Sequence, residues 1–189
     1  MVGTPVHGPD LDTRIFLLGQ APGLHEGKKG RPFAHTAGKT LFRWFEESAG
    51  VSEAMFRDHV YMAAVARCFP GKAPGGADRV PDASEIANCS RYLKAELGVL
   101  QPRLIIAVGK LAISQVLGPE KFGKNALLTD VVGRAFEAEY HGTRAEVICL
   151  PHPSGVSSWH KKEPGKTLLV QALRLVREHP EWKREFKAA

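Results

Sequence analysis

Cysteine is scarce in this chain, with 3 residues among 189, at positions 68, 89 and 149. An odd and widely spaced set does not read as a disulfide framework, so a reducing cytoplasm is the expected compartment. Long apolar runs are also missing. The longest clean one, Leu104 to Val108, falls far short of a bilayer span. Residues 1–12 carry no charged start followed by an apolar stretch, so no secretory signal is expected. Internal repeats and low-complexity tracts are absent, and with 24% charged residues disorder is not the expectation. What is present is 43% hydrophobic residues, enough for one compact domain over residues 1–189 and too little for two. The formal net charge of +6 suits a polyanionic partner such as nucleic acid without requiring one.

Four short apolar runs, each bounded by turn residues, read as buried strands: Ile15 to Leu18, Val60 to Val65, Leu104 to Val108 and Val147 to Leu150. Helical spacing appears between and after them, at Thr40 to Ala49, Ala83 to Leu100, Lys110 to Leu117 and Lys166 to His179. Pro81-Asp82 makes a good entry to the second helix, and Pro180 is expected to end the last. Strands alternating with helices predict an α/β domain around a mostly parallel sheet of four strands. The longest irregular stretch, Phe69 to Val80, is rich in Gly, Pro and Lys and is expected to be a functional loop.

Parallel α/β sheets bind ligands at the C-terminal ends of their strands. The segments following the four strands are Gly19-Gln20-Ala21-Pro22-Gly23, Arg67 to Lys72, Gly109-Lys110 and Pro151-His152-Pro153-Ser154-Gly155. All should converge on one edge, joined by Lys28, Lys29, Arg31, Arg67, Lys72, Lys161 and Lys162, which favours an anionic ligand. Each motif alone also has a plainer reading. Gly19 to Gly23 works as a tight turn, His152 between prolines as a rigid corner, Phe33 as core, and the lysine pairs as solvated surface.

Taken together, Gly19-Gln20-Ala21-Pro22-Gly23, Gly30-Arg31-Pro32-Phe33 and Ala37-Gly38 resemble the first motif block of the uracil-DNA glycosylase superfamily. His152-Pro153-Ser154-Gly155 resembles the second block. The resemblance runs from Ile15 to about Val176 and is nearest to the thermophile-type families four and five. It implies a three-layer αβα fold and an enzyme that flips a deaminated base out of DNA and hydrolyses its N-glycosidic bond. On this resemblance His152 stabilises the departing base and Phe33 stacks on it. The backbone of Gly19, Gln20 and Ala21 bonds the base edge. Ser154, Gly155 and Ser157, with Lys72 and Lys161, hold DNA, and Val156 takes the place of the wedge that fills the vacated stack. Glu26 matches an acidic position of the family-four motif and is a candidate to orient the water. The family's members usually act alone.

The chain departs from the pattern in three places. Ala21 stands where the best-known members carry a water-activating Asp, leaving Gln20, Glu26 and His35 as candidates. Ala64 stands where family four has an Asn that separates uracil from cytosine. Family five has alanine there, and losing a bidentate reader removes roughly 1–3 kcal/mol of discrimination, so hypoxanthine and xanthine join uracil as expected substrates. Lastly, families four and five typically carry a [4Fe-4S] cluster on four thiolates. Cys68 and Cys89 match two of them, Cys149 matches neither of the others, and the remaining pair normally precedes the first strand. Either the cluster has been lost or an N-terminal segment is omitted, and no cofactor or metal is assigned.

Three functions follow as alternatives. A monofunctional glycosylase predicts abasic sites, with no lysine at a matching position for lyase chemistry. A non-catalytic DNA or damaged-base binding module of the same fold predicts salt-sensitive binding and no product. An enzyme of free nucleotides predicts turnover without DNA, but lacks a fuller glycine-rich phosphate loop.

Overall fold

The structure, a computed structural model, describes residues 2–9, 12–155 and 157–186. Its centre is a five-stranded sheet: β1 (Ile15–Gly19), β2 (Tyr61–Ala64), β3 (Leu104–Val108), β4 (Ala135–Tyr140) and β5 (Thr143–Leu150). Their spatial order is β2-β1-β3-β5-β4. The first three pairings are parallel, with Leu17 opposite both Met62 and Ile106, and Ile106 opposite Ile148. Every residue of β1, β2 and β3 is buried, which is why these strands read as continuous apolar runs.

The expected count of four strands is therefore corrected to five. β4 pairs antiparallel to β5, with Ala138 opposite Ala145 and Tyr140 opposite Thr143. It lies on the sheet's outer edge, so its sequence, Ala-Phe-Glu-Ala-Glu-Tyr, alternates with exposed glutamates and offers no apolar run. A two-residue turn joins the pair, with His141 at φ 50 and Gly142 at φ 82, the double left-handed geometry that matches strand twist.

Helices flank the sheet on both faces, as the three-layer reading requires. They are α1 (Leu24–Lys29), α2 (Thr36–Ala49), α3 (Glu53–His59), α4 (Ala83–Leu100), α5 (Lys110–Lys121), α6 (Leu128–Val131), α7 (Gly165–Glu178) and α8 (Pro180–Phe186). The entry to α4 is a reciprocal cap. Asp82 accepts the Glu85 N–H at 2.9 Å, and Glu85 accepts the Asp82 N–H at 2.9 Å. Regular helix in α5 stops before Gly118, which sits at φ 72. Pro180 does end α7, yet it also opens α8, because a helix's first residue needs no N–H donor. α2, α3 and α8 meet through Phe45, which lies 4.6 Å from Phe56 and 5.2 Å from Trp182 between ring centres. No helix among the described residues is long and apolar enough to cross a membrane.

The other sheet edge, β2, is covered by the N-terminal segment. The Val2 and Val6 amides donate to the carbonyls of Phe69 and Arg67, each at 2.8 Å. Gly8 packs so near that a Cβ there would lie 3.0 Å from the Met62 nitrogen.

Candidate active site

The four parallel strands end along one edge, and a cavity of about 510 Å³ opens there. One wall is the turn after β1, from Gly19 to Gly23. A second is the stretch from Pro70 to Arg79 beyond β2. Val108, His152 and Ser154 come from the ends of β3 and β5, and Ala63 and Ala64 from β2. The carbonyls of Gly19 and Gln20 accept the amides of Val65 (3.0 Å) and Ala66 (3.1 Å), so the turn after β1 is pinned to the chain leaving β2.

Phe33 forms the aromatic wall. It sits at φ 51, a left-handed conformation uncommon for a bulky residue, and two contacts hold it there. Arg57 of α3 donates to the carbonyls of Pro32 (2.9 Å) and Phe33 (3.1 Å). That guanidinium also lies 4.6 Å from the Phe42 ring centre and donates to Glu53 Oε1 at 2.8 Å. The Phe33 ring in turn reaches Gly19, where a Cβ would stand 3.1 Å from Cζ.

His152 is half-buried against Gly109, whose φ of 85 and missing side chain make room. A Cβ there would lie 3.1 Å from the imidazole Cδ2. The Ser154 N–H donates to His152 Nδ1 at 3.2 Å, which assigns the remaining proton to Nε2. Burial pushes the His152 pKa down, partly offset by Asp78, so the ring is neutral at pH 7. A neutral imidazole with its proton on Nε2 is a hydrogen-bond donor that can receive a developing negative charge.

Among the described residues, two carboxylates line the cavity. Glu26 is buried in the first turn of α1, where its Oε2 accepts the Gly23 N–H at 2.7 Å. Burial raises its pKa, while the amides of Gly23 and Ala34 pull it back. Its carboxylate thus ties the first motif's turn to the Phe33 segment. Asp78 is the other. Its Oδ2 faces Gly23, 3.4 Å from where a Cβ would stand, and its Oδ1 accepts from Lys72 Nζ at 2.6 Å.

An aromatic wall, a fixed neutral imidazole and carboxylates surround one cavity, in a chain whose sequence matches one family over most of its length. The family model for the uracil DNA glycosylase superfamily matches residues 5–176. The chain belongs to the uracil DNA glycosylase superfamily. A type-4 uracil-DNA glycosylase of Sulfurisphaera tokodaii is 33% identical over 143 residues, covering 74% of this chain and 59% of that protein. A Thermotoga maritima type-4 enzyme is 34% identical, covering 77% and 67%. A Pyrobaculum aerophilum type-5 enzyme is 30% identical, covering 70% and 62%. The matched part of the chain thus spans about three fifths to two thirds of these relatives.

Among the superfamily positions read from the sequence, Gly19, Gln20, Ala21, Glu26, Phe33, Ala64, Lys72, His152 and Ser154 all reach the cavity, as does His35. Gly155, Ser157 and Lys161 lie outside its lining, on the segment that continues to a partly buried 3₁₀ turn at Trp159–Lys161, of which Lys161 is exposed. Val156 lies outside the described residues. Lys28, Lys29, Arg31 and Lys162 are exposed. Arg67 is not: it is 4% exposed and paired with Glu96, so its place among the surface cations is corrected. Asp78, Arg57 and the demand for glycine at position 38 were missed. Asp78 sits in an irregular stretch with no periodicity, and Arg57 acts from a helix that carries no motif.

Whether the chain's thiols fit an iron–sulfur cluster depends on where the three cysteines stand. Cys68 and Cys89 stand together: burial and then the neighbouring Cys89 push the Cys68 thiol up, and the Arg67 N–H donates to Cys89 Sγ at 3.4 Å. Cys149 is on β5, with β3 and β1 between it and β2, and burial pushes its pKa to about 12. Among the described residues no three His, Cys, Asp or Glu side chains group to hold a metal. Two thiols do not fit a four-thiolate cluster.

Proposed function

We propose that this protein, as one unit over residues 1–189, is a monofunctional DNA glycosylase of base excision repair. It hydrolyses the N-glycosidic bond of uracil and of other deaminated bases in DNA. The observation that carries the reading is the His152 imidazole, held neutral and oriented by the Ser154 amide at the cavity that Phe33 walls. The flipped base stacks on Phe33 and meets the backbone of Gln20 and Ala21. As the C1′–N bond breaks, its electron pair leaves with the base, and His152 Nε2–H donates to the base oxygen that gains charge. Water adds to C1′, and its proton passes to the Asp78 carboxylate. We favour Asp78 over Glu26 for this step, because Glu26 already accepts backbone amides. Ala64, apolar and lining the cavity, puts no side-chain reader at its own position, which supports a broader set of bases. Ser154, Gly155, Ser157 and Lys161 follow His152 in the chain and serve as the DNA contact, and Val156, outside the described residues, is assigned the wedge.

The test uses labelled oligonucleotides bearing uracil opposite guanine, uracil opposite adenine, single-stranded uracil, hypoxanthine or xanthine. Each is incubated with wild type or His152→Ala, then treated with alkali. Strand cleavage by wild type that collapses in the variant supports the reading. Salt-sensitive binding without cleavage of any substrate supports a binding module instead.

A further inference from the structure

The irregular stretch from Phe69 to Val80 contains no strand, but it closes on itself like a small hairpin through one isolated bridge. Lys72 and Asp78 bridge as antiparallel neighbours. The Ala73 N–H donates to Ala77 at 2.8 Å, and the Arg79 N–H to Gly71 at 2.9 Å. Its base is anchored by Arg79, whose side chain donates to the Pro70 carbonyl and to both Glu85 carboxylate oxygens, at 2.9 and 2.7 Å. Asp78 thus stands on a fixed backbone, but its carboxylate can still rotate about its own side-chain bonds.

Lys72 removes that freedom. Its Nζ takes Asp78 Oδ1 at 2.6 Å while lying 5.9 Å from the Phe69 ring centre. With Oδ1 engaged, Oδ2 is left facing the Gly23 turn and the cavity. We propose that Lys72 is a positioning residue, which fixes the Asp78 carboxylate so that Oδ2 is the oxygen that receives the attacking water. Lys72 then serves the reaction through Asp78, rather than only as one more phosphate contact. The proposal rests on the glycosylase reading and on Asp78 as the water's partner.

The pair is about half exposed on both sides, so its removal costs the fold little. That makes the test clean. Single-turnover release of uracil is measured at saturating enzyme for wild type, Lys72→Met, Lys72→Arg, Asp78→Asn and the Lys72→Met/Asp78→Asn double variant. Salt dependence of binding is measured in parallel. Lys72→Met is expected to slow the saturated rate by about ten-fold, as loss of alignment does. Lys72→Arg restores most of it, and the double variant is no slower than Asp78→Asn alone. A Lys72→Met variant that only weakens binding and lowers the salt slope by about one, with an unchanged saturated rate, overturns the positioning role. Effects that multiply in the double variant overturn it as well. No release by wild type overturns the glycosylase reading and this role together, whereas a slow Asp78→Asn beside an unaffected Lys72→Met overturns this role alone.

Discussion

Gly38 and Phe33 are in direct backbone contact: a Cβ on Gly38 would lie 1.7 Å from the Phe33 carbonyl oxygen. The first turn of α2 therefore presses on the segment that holds Phe33 in its left-handed conformation. No side chain fits there without moving the aromatic wall of the cavity.

Gly38→Ala is expected to destabilise the protein by roughly 1–3 kcal/mol through overpacking and to slow base release as Phe33 shifts. Gly27→Ala is the control. Gly27 has open space within 4 Å, and there the exchange should be neutral or slightly stabilising. Urea midpoints and single-turnover rates measured on both variants check this. Equal effects at the two positions would remove the special role given to Gly38.

His152→Ala should reduce base release by about 100-fold to 1,000-fold with little change in DNA binding, as loss of a transition-state donor does. Burial already holds the wild-type imidazole neutral, with its pKa below the usual value of 6.5. The saturated rate should therefore stay level as pH falls through 6.5, and decline only below it. An acid limb centred above 6.5 would rule out the neutral donor.

Ala64→Asn should sharpen the choice of base. An amide at this cavity position offers paired donor and acceptor groups that uracil can satisfy, worth roughly 1–3 kcal/mol of discrimination. The ratio of uracil to hypoxanthine release should rise about ten-fold or more. Competition between the two oligonucleotides in one tube gives the ratio directly, and an unchanged ratio would mean that residue 64 does not read the base.

Acid should weaken the fold before the carboxylates titrate. His141, His152, His160 and His179 all have pKa values below 6.5, chiefly from burial. Just below pH 6.5 the unfolded chain binds more protons than the folded one, so stability falls as pH drops through that range. Glu26, whose raised value favours the folded state once protonated, opposes this only lower down, near the carboxylate range. Urea midpoints at pH 8, 6.5 and 5.5 should descend in that order. A level series would sink the argument.

Much of this molecule is legible without coordinates because its central strands are buried on both faces. Ile15 to Leu18 and Leu104 to Val108 announce themselves as apolar runs, and the loops after them carry the motif residues. β4 is not legible that way, since an edge strand alternates. Its only signal was the His141-Gly142 turn. The site divides similarly. Phe33 and His152 sit in recognisable motifs, but Asp78 reaches the cavity through hairpin pairing across Gly71 to Arg79, a relation between residues that composition does not encode. Arg67 was misplaced for a related reason: charge alone does not say that its side chain is buried with a half-buried Glu96 beside it.

The cavity draws its walls from Gly19 near one end of the chain and from His152 and Ser154 near the other. During synthesis the ribosome would have to extrude the whole of β5 before the cavity is complete, and such distant pairings are slow to form. A nascent or prematurely terminated chain therefore carries the first motif without the imidazole.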